Sequence, residues 1–169
     1  MAWSGSLTEA SAVGSAITFT PEGTGYSVDV FTAPRKGIYR FTLKGSGGAL
    51  VRTWSTAGTP GKGGLTVGYL LLEKGQTVYV GAGDTCRAAF VSKTTGAALK
   101  NIAKEDLFFV AGAGGGNGNG DRGVGADGGN GGGETGANGS TYAGYTGYGG
   151  TQTKGGQGNG GYDADKQGA

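Results

Sequence analysis

Glycine is concentrated in the last third of the chain, and this limits what that part can fold into. Of the 42 glycines in the sequence, 24 lie between Gly112 and Gly161, in a stretch without proline. Glycine has no side chain to bury and loses more conformational freedom on folding than any other residue. Such a stretch is either disordered or ordered by contacts between backbones, and the spacing of its glycines favours order.

Many of these glycines recur at every third position. Four registers show the repeat: Gly125, Gly128 and Gly131; Gly133, Gly136 and Gly139; Gly144, Gly147 and Gly150; Gly155, Gly158 and Gly161. A polyproline-II-type helix has three residues per turn and no internal hydrogen bonds, so its backbone groups must bond to neighbouring helices. The register therefore predicts a bundle of polyglycine II helices. Collagen is not favoured, because it needs a strict repeat and much proline.

Three tyrosines share the same period. Tyr142, Tyr145 and Tyr148 would align along one edge of a helix with three residues per turn. A ladder of tyrosine rings can pack against the bundle or stack against sugars. Packing is the favoured interpretation, because an ordered glycine bundle needs side chains to hold it.

The preceding part of the chain has the alternating pattern of half-buried antiparallel strands. Apolar residues alternate with polar ones from Ile17 to Phe19, from Tyr26 to Val30, and from Tyr39 to Leu43. Residues 65–72 and 76–80 predict a hairpin joined at Glu73–Gly75. Residues 97–104 predict a short helix, and the apolar run 107–110 predicts a strand buried on both faces.

Composition excludes several kinds of site. The chain has no histidine and one cysteine, so it has no intrachain disulfide and no histidine-based catalytic pair. We expect Cys86 to be a small buried hydrophobic residue rather than a reactive thiol. The first twenty residues lack the pattern of a signal peptide. Six basic residues without an acidic one lie between Asp29 and Glu73, and a solvated strand face is favoured over an anion-binding patch.

Asparagine and aspartate residues at the start of the glycine-rich tail resemble known motifs incompletely. Asn117, Asn119 and Asp121 alternate as the ligands of a calcium loop do, but Arg122 occupies the position of the required glycine. A calcium site at Asp121 or Asp127 is the less favoured alternative to turn stabilisation. Gly118–Gly123 matches the dinucleotide-binding glycine pattern without the helix that must follow. We predict no catalytic site, no metal and no cofactor.

Four motifs in order resemble the glycine-rich domain family. These are DVFTAPRKGIYRFTLKGSGG, PGKGGLTVGYLLLEKGQTVYVGAG, LFFVAGAGGGNGNG and the glycine block that follows, which together cover about residues 29–162. The family includes bacterial and bacteriophage proteins and the glycine-rich domain of the anaplastic lymphoma kinase ectodomain. The T-even-type tail fibre adhesins are similar only in the glycine block. The resemblance implies packed polyglycine II helices and, as in the adhesins, loops that contact a host receptor.

We therefore expect an all-β chain in which an antiparallel β-sandwich or jelly-roll-like domain precedes a polyglycine II bundle. The predicted divisions are a docking arm (1–15), the β-domain (16–110), the bundle (111–162) and a tail (163–169). Cysteine usage and the lack of a signal peptide favour a bacteriophage virion protein over a receptor ectodomain.

The predicted function is binding, as a tail or fibre adhesin. Its expected partners are other virion proteins, a host glycan or outer-membrane protein, and further copies of itself, but not nucleic acid. The alternatives are a capsid or tail decoration protein and an ice-binding protein. Trp3 is predicted to dock the chain on the virion. The predicted binding residues are Asn117, Asn119, Asp121, Arg122, Asp127, Asn130, Tyr142, Tyr145 and Tyr148.

Overall fold

The structure is a computed structural model. It describes residues 14, 16–20, 25–50, 58–96, 99–117, 126–132, 135–140 and 148–149. The strands in these ranges are β1 (Tyr26–Thr32), β2 (Gly37–Lys44), β3 (Leu65–Leu72), β4 (Thr77–Gly83), β5 (Ala89–Ser92) and β6 (Leu107–Ala111). All paired strands are antiparallel. The predicted all-β class is confirmed, and the jelly-roll likeness stays a prediction.

The strands form two sheets with a shared apolar core. One sheet has the order β1-β4-β5-β6, and the other contains β2 and β3. Aromatic rings from both sheets meet between them. The Phe31 ring lies 5.3 Å from that of Tyr39 and 6.1 Å from that of Phe41, and Phe41 lies 6.2 Å from Phe109. The core residues are Phe31, Ala33, Leu43, Leu72, Val78, Ala89, Val91 and Ala111.

Alternation along β2 follows the predicted pattern, but β1 has the opposite phase. In β2, Leu43 is buried and Tyr39 and Phe41 are half-buried against the core. In β1 the residue that packs into the core is Phe31, whereas Val30 is 39% exposed. In a half-buried strand the apolar residues of the alternating pattern should face inward, so the sequence predicts an inward Val30, and this prediction was wrong. Phe31 provides more apolar surface than Val30, and burying it places Val30 on the opposite face of the strand.

The predicted hairpin of residues 65–72 and 76–80 is wrong, because β3 pairs with β2 and β4 pairs with β1. The chain crosses between the two sheets at residues 73–76, where Gly75 has a φ of 81°. A second crossing lies beside it at Ala33–Lys36. The Ala33 amide donates to the Gln76 carbonyl at 2.9 Å, and the Gly75 amide donates to the Ala33 carbonyl at 2.8 Å. The two crossings thus form one corner of the sandwich.

Two further predictions need correction. Residues 16–20 are not a strand, although Ile17 and Phe19 are half-buried and their threonine neighbours are exposed. The helix predicted at 97–104 is replaced over residues 99–106 by 3-10 turns at Leu99–Asn101 and Lys104–Asp106. Ala103 between them has an extended backbone, with φ −62° and ψ 142°, and this conformation interrupts a helix.

The apolar run that ends the β-domain is a strand, as predicted. It forms β6, in which residues 107–110 are half-buried on both faces rather than fully buried. Its neighbour β5 is buried at every position, although the sequence does not predict a strand there. Four residues are too short a run for a clear alternating pattern.

Five stretches of the chain form neither helix nor strand but bond to one another regularly. We call residues 45–49, 58–64, 112–117, 126–132 and 135–140 the glycine-rich segments. Their backbone hydrogen bonds advance by three residues along both partners. Donor and acceptor residues are paired as Gly45–Gly64 and Gly48–Gly61; Gly61–Gly115 and Gly64–Gly112; Gly114–Ser46 and Asn117–Ala49; Gly128–Thr59 and Gly131–Lys62; Ala137–Asn130 and Ser140–Asp127.

The glycine-rich segments are not arranged as a sheet. A strand in a sheet has at most two bonded neighbours. Segment 58–64 bonds to three, namely segments 45–49, 112–117 and 126–132. Glycines stand where these backbones meet, since a Cβ on Gly48, Gly61 or Gly128 would overlap a carbonyl of the next segment. The segments thus pack in three dimensions through backbone contact, and two of them precede residue 110.

Candidate functional site

Asp127 and Asn130 join two glycine-rich segments through their side chains. Asp127 Oδ1 accepts a hydrogen bond from the Thr59 amide at 2.6 Å, and Asn130 Oδ1 accepts one from the Lys62 amide at 2.8 Å. Donors and acceptors are both three residues apart, so the side chains continue the three-residue pattern of the backbone. Both residues are exposed, and they place a carboxylate and an amide on the outer edge of the segments.

Segment 135–140 adds further polar groups to this edge. The Ser140 hydroxyl accepts a hydrogen bond from the Asp127 amide at 2.6 Å, and Asn138 Oδ1 accepts one from the Gly149 amide at 2.9 Å. Tyr148 lies next to Gly149 and is 51% exposed. Asn138 was not among the predicted binding residues, because nothing in its spacing distinguished it from the other asparagines. The polar edge, as we name it, consists of Asp127, Asn130, Asn138, Ser140 and Tyr148.

The structure separates the predicted binding residues that it describes. Asn117 is 7% exposed, and its backbone N–H donates to the Ala49 carbonyl at 3.2 Å. Asn117 therefore lies between the glycine-rich segments and not on their exposed edge. Asp127, Asn130 and Tyr148 lie on the polar edge. The other predicted residues lie outside the described ranges: Trp3, Asn119, Asp121, Arg122, Tyr142 and Tyr145. The predicted tyrosine ladder and docking arm therefore stay predictions.

The turn between β4 and β5 forms hydrogen bonds with the first glycine-rich segment, residues 45–49. The Arg87 amide donates to Ser46 Oγ at 2.8 Å, and Ser46 Oγ donates to the Arg87 carbonyl at 3.0 Å. The Cys86 amide donates to the Gly47 carbonyl at 2.9 Å, and Cys86 Sγ accepts from the Ala49 amide at 3.0 Å. Cys86 is exposed, with a φ of 56°, so the prediction of a buried residue was wrong. Its place in a tight turn explains the exposure.

Charge and burial act on two ionisable groups at this turn. Arg87 Nε donates to Asp84 Oδ1 at 3.1 Å, and the guanidinium carbon lies 5.3 Å from the centre of the Tyr26 ring. A hydrogen bond from the Thr85 amide is the main reason that the pKa of Asp84 is lowered, and the bond from Arg87 acts in the same direction. Burial raises the pKa of the Tyr26 phenol, against the opposing effects of the Ala88 backbone and the Arg87 charge.

The described residues of the polar edge provide hydrogen-bonding groups. Among all the residues that the structure describes, no three histidine, cysteine, aspartate or glutamate side chains stand close enough together to hold a metal ion. No helix within the described ranges has the length and apolar character needed to cross a membrane. The polar edge combines a carboxylate, two amides, a hydroxyl and a phenol, which are groups that recognise other polar molecules through hydrogen bonds.

The chain was compared with protein-family models, with curated proteins and with solved structures, and none of the three comparisons finds a match.

Proposed function

We propose that the five glycine-rich segments are polyglycine II helices packed as a bundle. The observation that supports this most strongly is the three-residue step of their hydrogen bonds, since this helix has three residues per turn. Bonding of one segment to three neighbours suits parallel rods better than strands. The close backbone contacts at Gly48, Gly61 and Gly128 explain why so many positions are glycine.

From this architecture we infer a virion structural protein of a tailed bacteriophage, of the tail or fibre type. The β-domain would be held by other virion proteins, and the bundle would present the polar edge and its adjoining loops to a receptor on the host cell. The resemblance to the glycine-rich domain family supports the class of protein. Asp127, Asn130 and Tyr148 are exposed at one edge of the segments, and this supports the proposal that the polar edge is the side of the bundle that meets the receptor.

The test replaces the gene for this chain, in a phage that carries it, with genes for two variants. The variant Asp121→Ala/Arg122→Ala removes two of the predicted binding residues, one acidic and one basic. Lys100→Ala/Glu105→Ala removes the same two charges from exposed positions of the β-domain and is the matched control. We expect the first variant to slow adsorption to host cells by at least about tenfold, which corresponds to about 1.4 kcal/mol of binding free energy.

Particle composition distinguishes the outcomes. Variant particles should assemble and contain the chain in normal amount by quantitative mass spectrometry. Unchanged adsorption by such particles would contradict the adhesin role. Many copies distributed over the shell, instead of a few at the fibre tips, would favour the decoration protein. Absence of the chain from purified particles would contradict a virion role altogether.

A further inference from the structure

The outer face of the β2–β3 sheet exposes a contiguous row of large apolar side chains. Their exposed fractions range from 42% to 74% for Ile38, Leu65, Val67, Tyr69 and Leu71. The strand register places Ile38 opposite Leu71, Arg40 opposite Tyr69, Thr42 opposite Val67 and Lys44 opposite Leu65. Because side chains alternate between faces, these eight residues share one face, which we call the outer face.

Strand β3 has the sequence of a strand that is covered on both sides. Its inner residues Leu70 and Leu72 face the core, and Gly68 lies directly against the Phe109 ring. Its outer residues are equally apolar, which is typical of strands buried on both faces. Strand β2 differs, since three of its four outer residues, Arg40, Thr42 and Lys44, are polar. The outer row of β3 therefore has the composition of a buried surface, but the described part of the chain does not cover it.

We propose that a second copy of this chain covers the outer face. The four apolar side chains in the outer row of β3 expose on the order of 450 Å², which is within the range of the largest patch on a soluble monomer. Two such rows in contact would bury about 900 Å² in total, the size of a weak interface that forms at high concentration. The outer row of β3 carries no charge, so an identical uncharged row on another copy is a complementary partner.

Charge determines how the two copies meet. The outer face carries Arg40 and Lys44 and no acidic residue. A two-fold axis parallel to β3 sets the β3 rows of the two copies against each other and moves the β2 rows to opposite rims. Arg40 and Lys44 then keep their charged ends in water while their stems cover the edges of the apolar row. The interface is isologous, centred on Val67 and Tyr69.

The test measures the mass of the full chain by sedimentation equilibrium from micromolar to hundreds of micromolar concentrations. We expect wild type to pass from monomer to dimer over this range. Tyr69→Glu places a carboxylate opposite Arg40 in the same sheet, which favours the fold, but brings two carboxylates together at the interface. It should raise the dissociation constant at least about tenfold. Leu50→Glu, at a residue 50% exposed outside the outer face, should leave it unchanged.

A second measurement does not depend on a charged variant. In a Cys86→Ser background, Tyr69→Cys should give disulfide-linked dimers on oxidation with added diamide, whereas Leu50→Cys should not. A chain that stays monomeric at every concentration would overturn the proposal, as would a dimer that neither weakens with Tyr69→Glu nor cross-links through Tyr69→Cys. Binding of monomeric wild type to anionic lipid vesicles would assign the outer face to a membrane surface instead. Neither readout depends on adsorption to a host.

Discussion

Gly68 and Gly81 each stand directly against an aromatic ring of the β-domain. A Cβ on Gly68 would overlap the Phe109 ring, and one on Gly81 would overlap the Phe90 ring. The Phe90 ring is fully buried, and the Phe109 ring packs against the core residues, so neither can move aside without loss of packing. Because glycine has no side chain, Gly68 leaves the space that the Phe109 ring occupies, and Gly81 leaves the space that the Phe90 ring occupies.

Alanine at either of these glycines should destabilise the protein. We expect Gly68→Ala and Gly81→Ala each to lower the free energy of unfolding by roughly 1–3 kcal/mol, the usual effect of overpacking. Urea denaturation followed by circular dichroism measures the change. Gly37→Ala is the control, because its Cβ would meet only Tyr39 Cε2, at 3.9 Å. Equal losses in all three variants would show that strand propensity, and not the rings, causes the effect.

Asp84 makes stability depend on pH. Its pKa in the folded protein is lowered from 3.8, so its ionised form favours folding. That contribution is present above pH 3.8 and is lost as pH falls through the folded pKa. Asp84→Asn should therefore lower the urea midpoint at pH 7, and the difference from wild type should shrink once the carboxyl is protonated. A difference that is constant with pH would contradict this role of the Asp84 charge.

Gly47 and Gly48 are adjacent in the first glycine-rich segment but differ in their surroundings. A Cβ on Gly48 would overlap the Gly115 carbonyl, whereas one on Gly47 would lie 3.6 Å from the Gly61 oxygen, an ordinary contact. Gly48 also donates to the Gly61 carbonyl at 2.9 Å, so moving its backbone breaks a hydrogen bond. The two positions provide a matched pair within one element.

Gly48→Ala should lower the free energy of unfolding by at least about 2 kcal/mol, because the backbones must separate. Gly47→Ala should change it by no more than about 0.5 kcal/mol. Thermal unfolding of the two variants and wild type under the same conditions measures both effects. If both substitutions are tolerated, the glycines are not needed for close packing and the polyglycine II proposal is weakened.

Elements could be predicted from the sequence more reliably than their partners. Alternation predicted β2 and the position of β1, because one buried face gives a period of two. It did not show that the turn at residues 73–76 crosses between sheets, since a turn sequence does not specify which strands pair across it. The glycine-rich segments at 45–49 and 58–64 were not recognised as partners of the tail. Their contacts use backbone atoms, which every residue has. The amino-acid sequence therefore indicates these contacts mainly through the positions of its glycines.

At the scale of the whole molecule, three of the glycine-rich segments directly precede or follow strands of the β-sandwich. Segment 45–49 directly follows β2, segment 58–64 directly precedes β3, and segment 112–117 directly follows β6. Position in the chain therefore does not separate the two parts. The predicted boundary at residue 110 stays a prediction, and hydrogen bonds link the residues on its two sides.

Removal of the tail should consequently loosen the connection between β2 and β3. In a chain that ends at Ala111, the amides of Gly61 and Gly64 lose their acceptors on Gly115 and Gly112. Strand β4 keeps both of its neighbours, β1 and β5. Hydrogen exchange measured by mass spectrometry should show faster exchange in peptides covering residues 58–64, with protection retained in those covering β4.

The control for this comparison is a full-length chain with the exposed residue Lys104 replaced by alanine, which should match wild type in both regions. Protection that persists at residues 58–64 in the shortened chain would mean that the front segments are ordered without the tail. Loss of protection in β4 as well would mean that the sandwich itself needs the glycine-rich segments in order to fold. The predicted outcome lies between these two, because the pairs of β1, β4 and β5 involve no residue beyond 92.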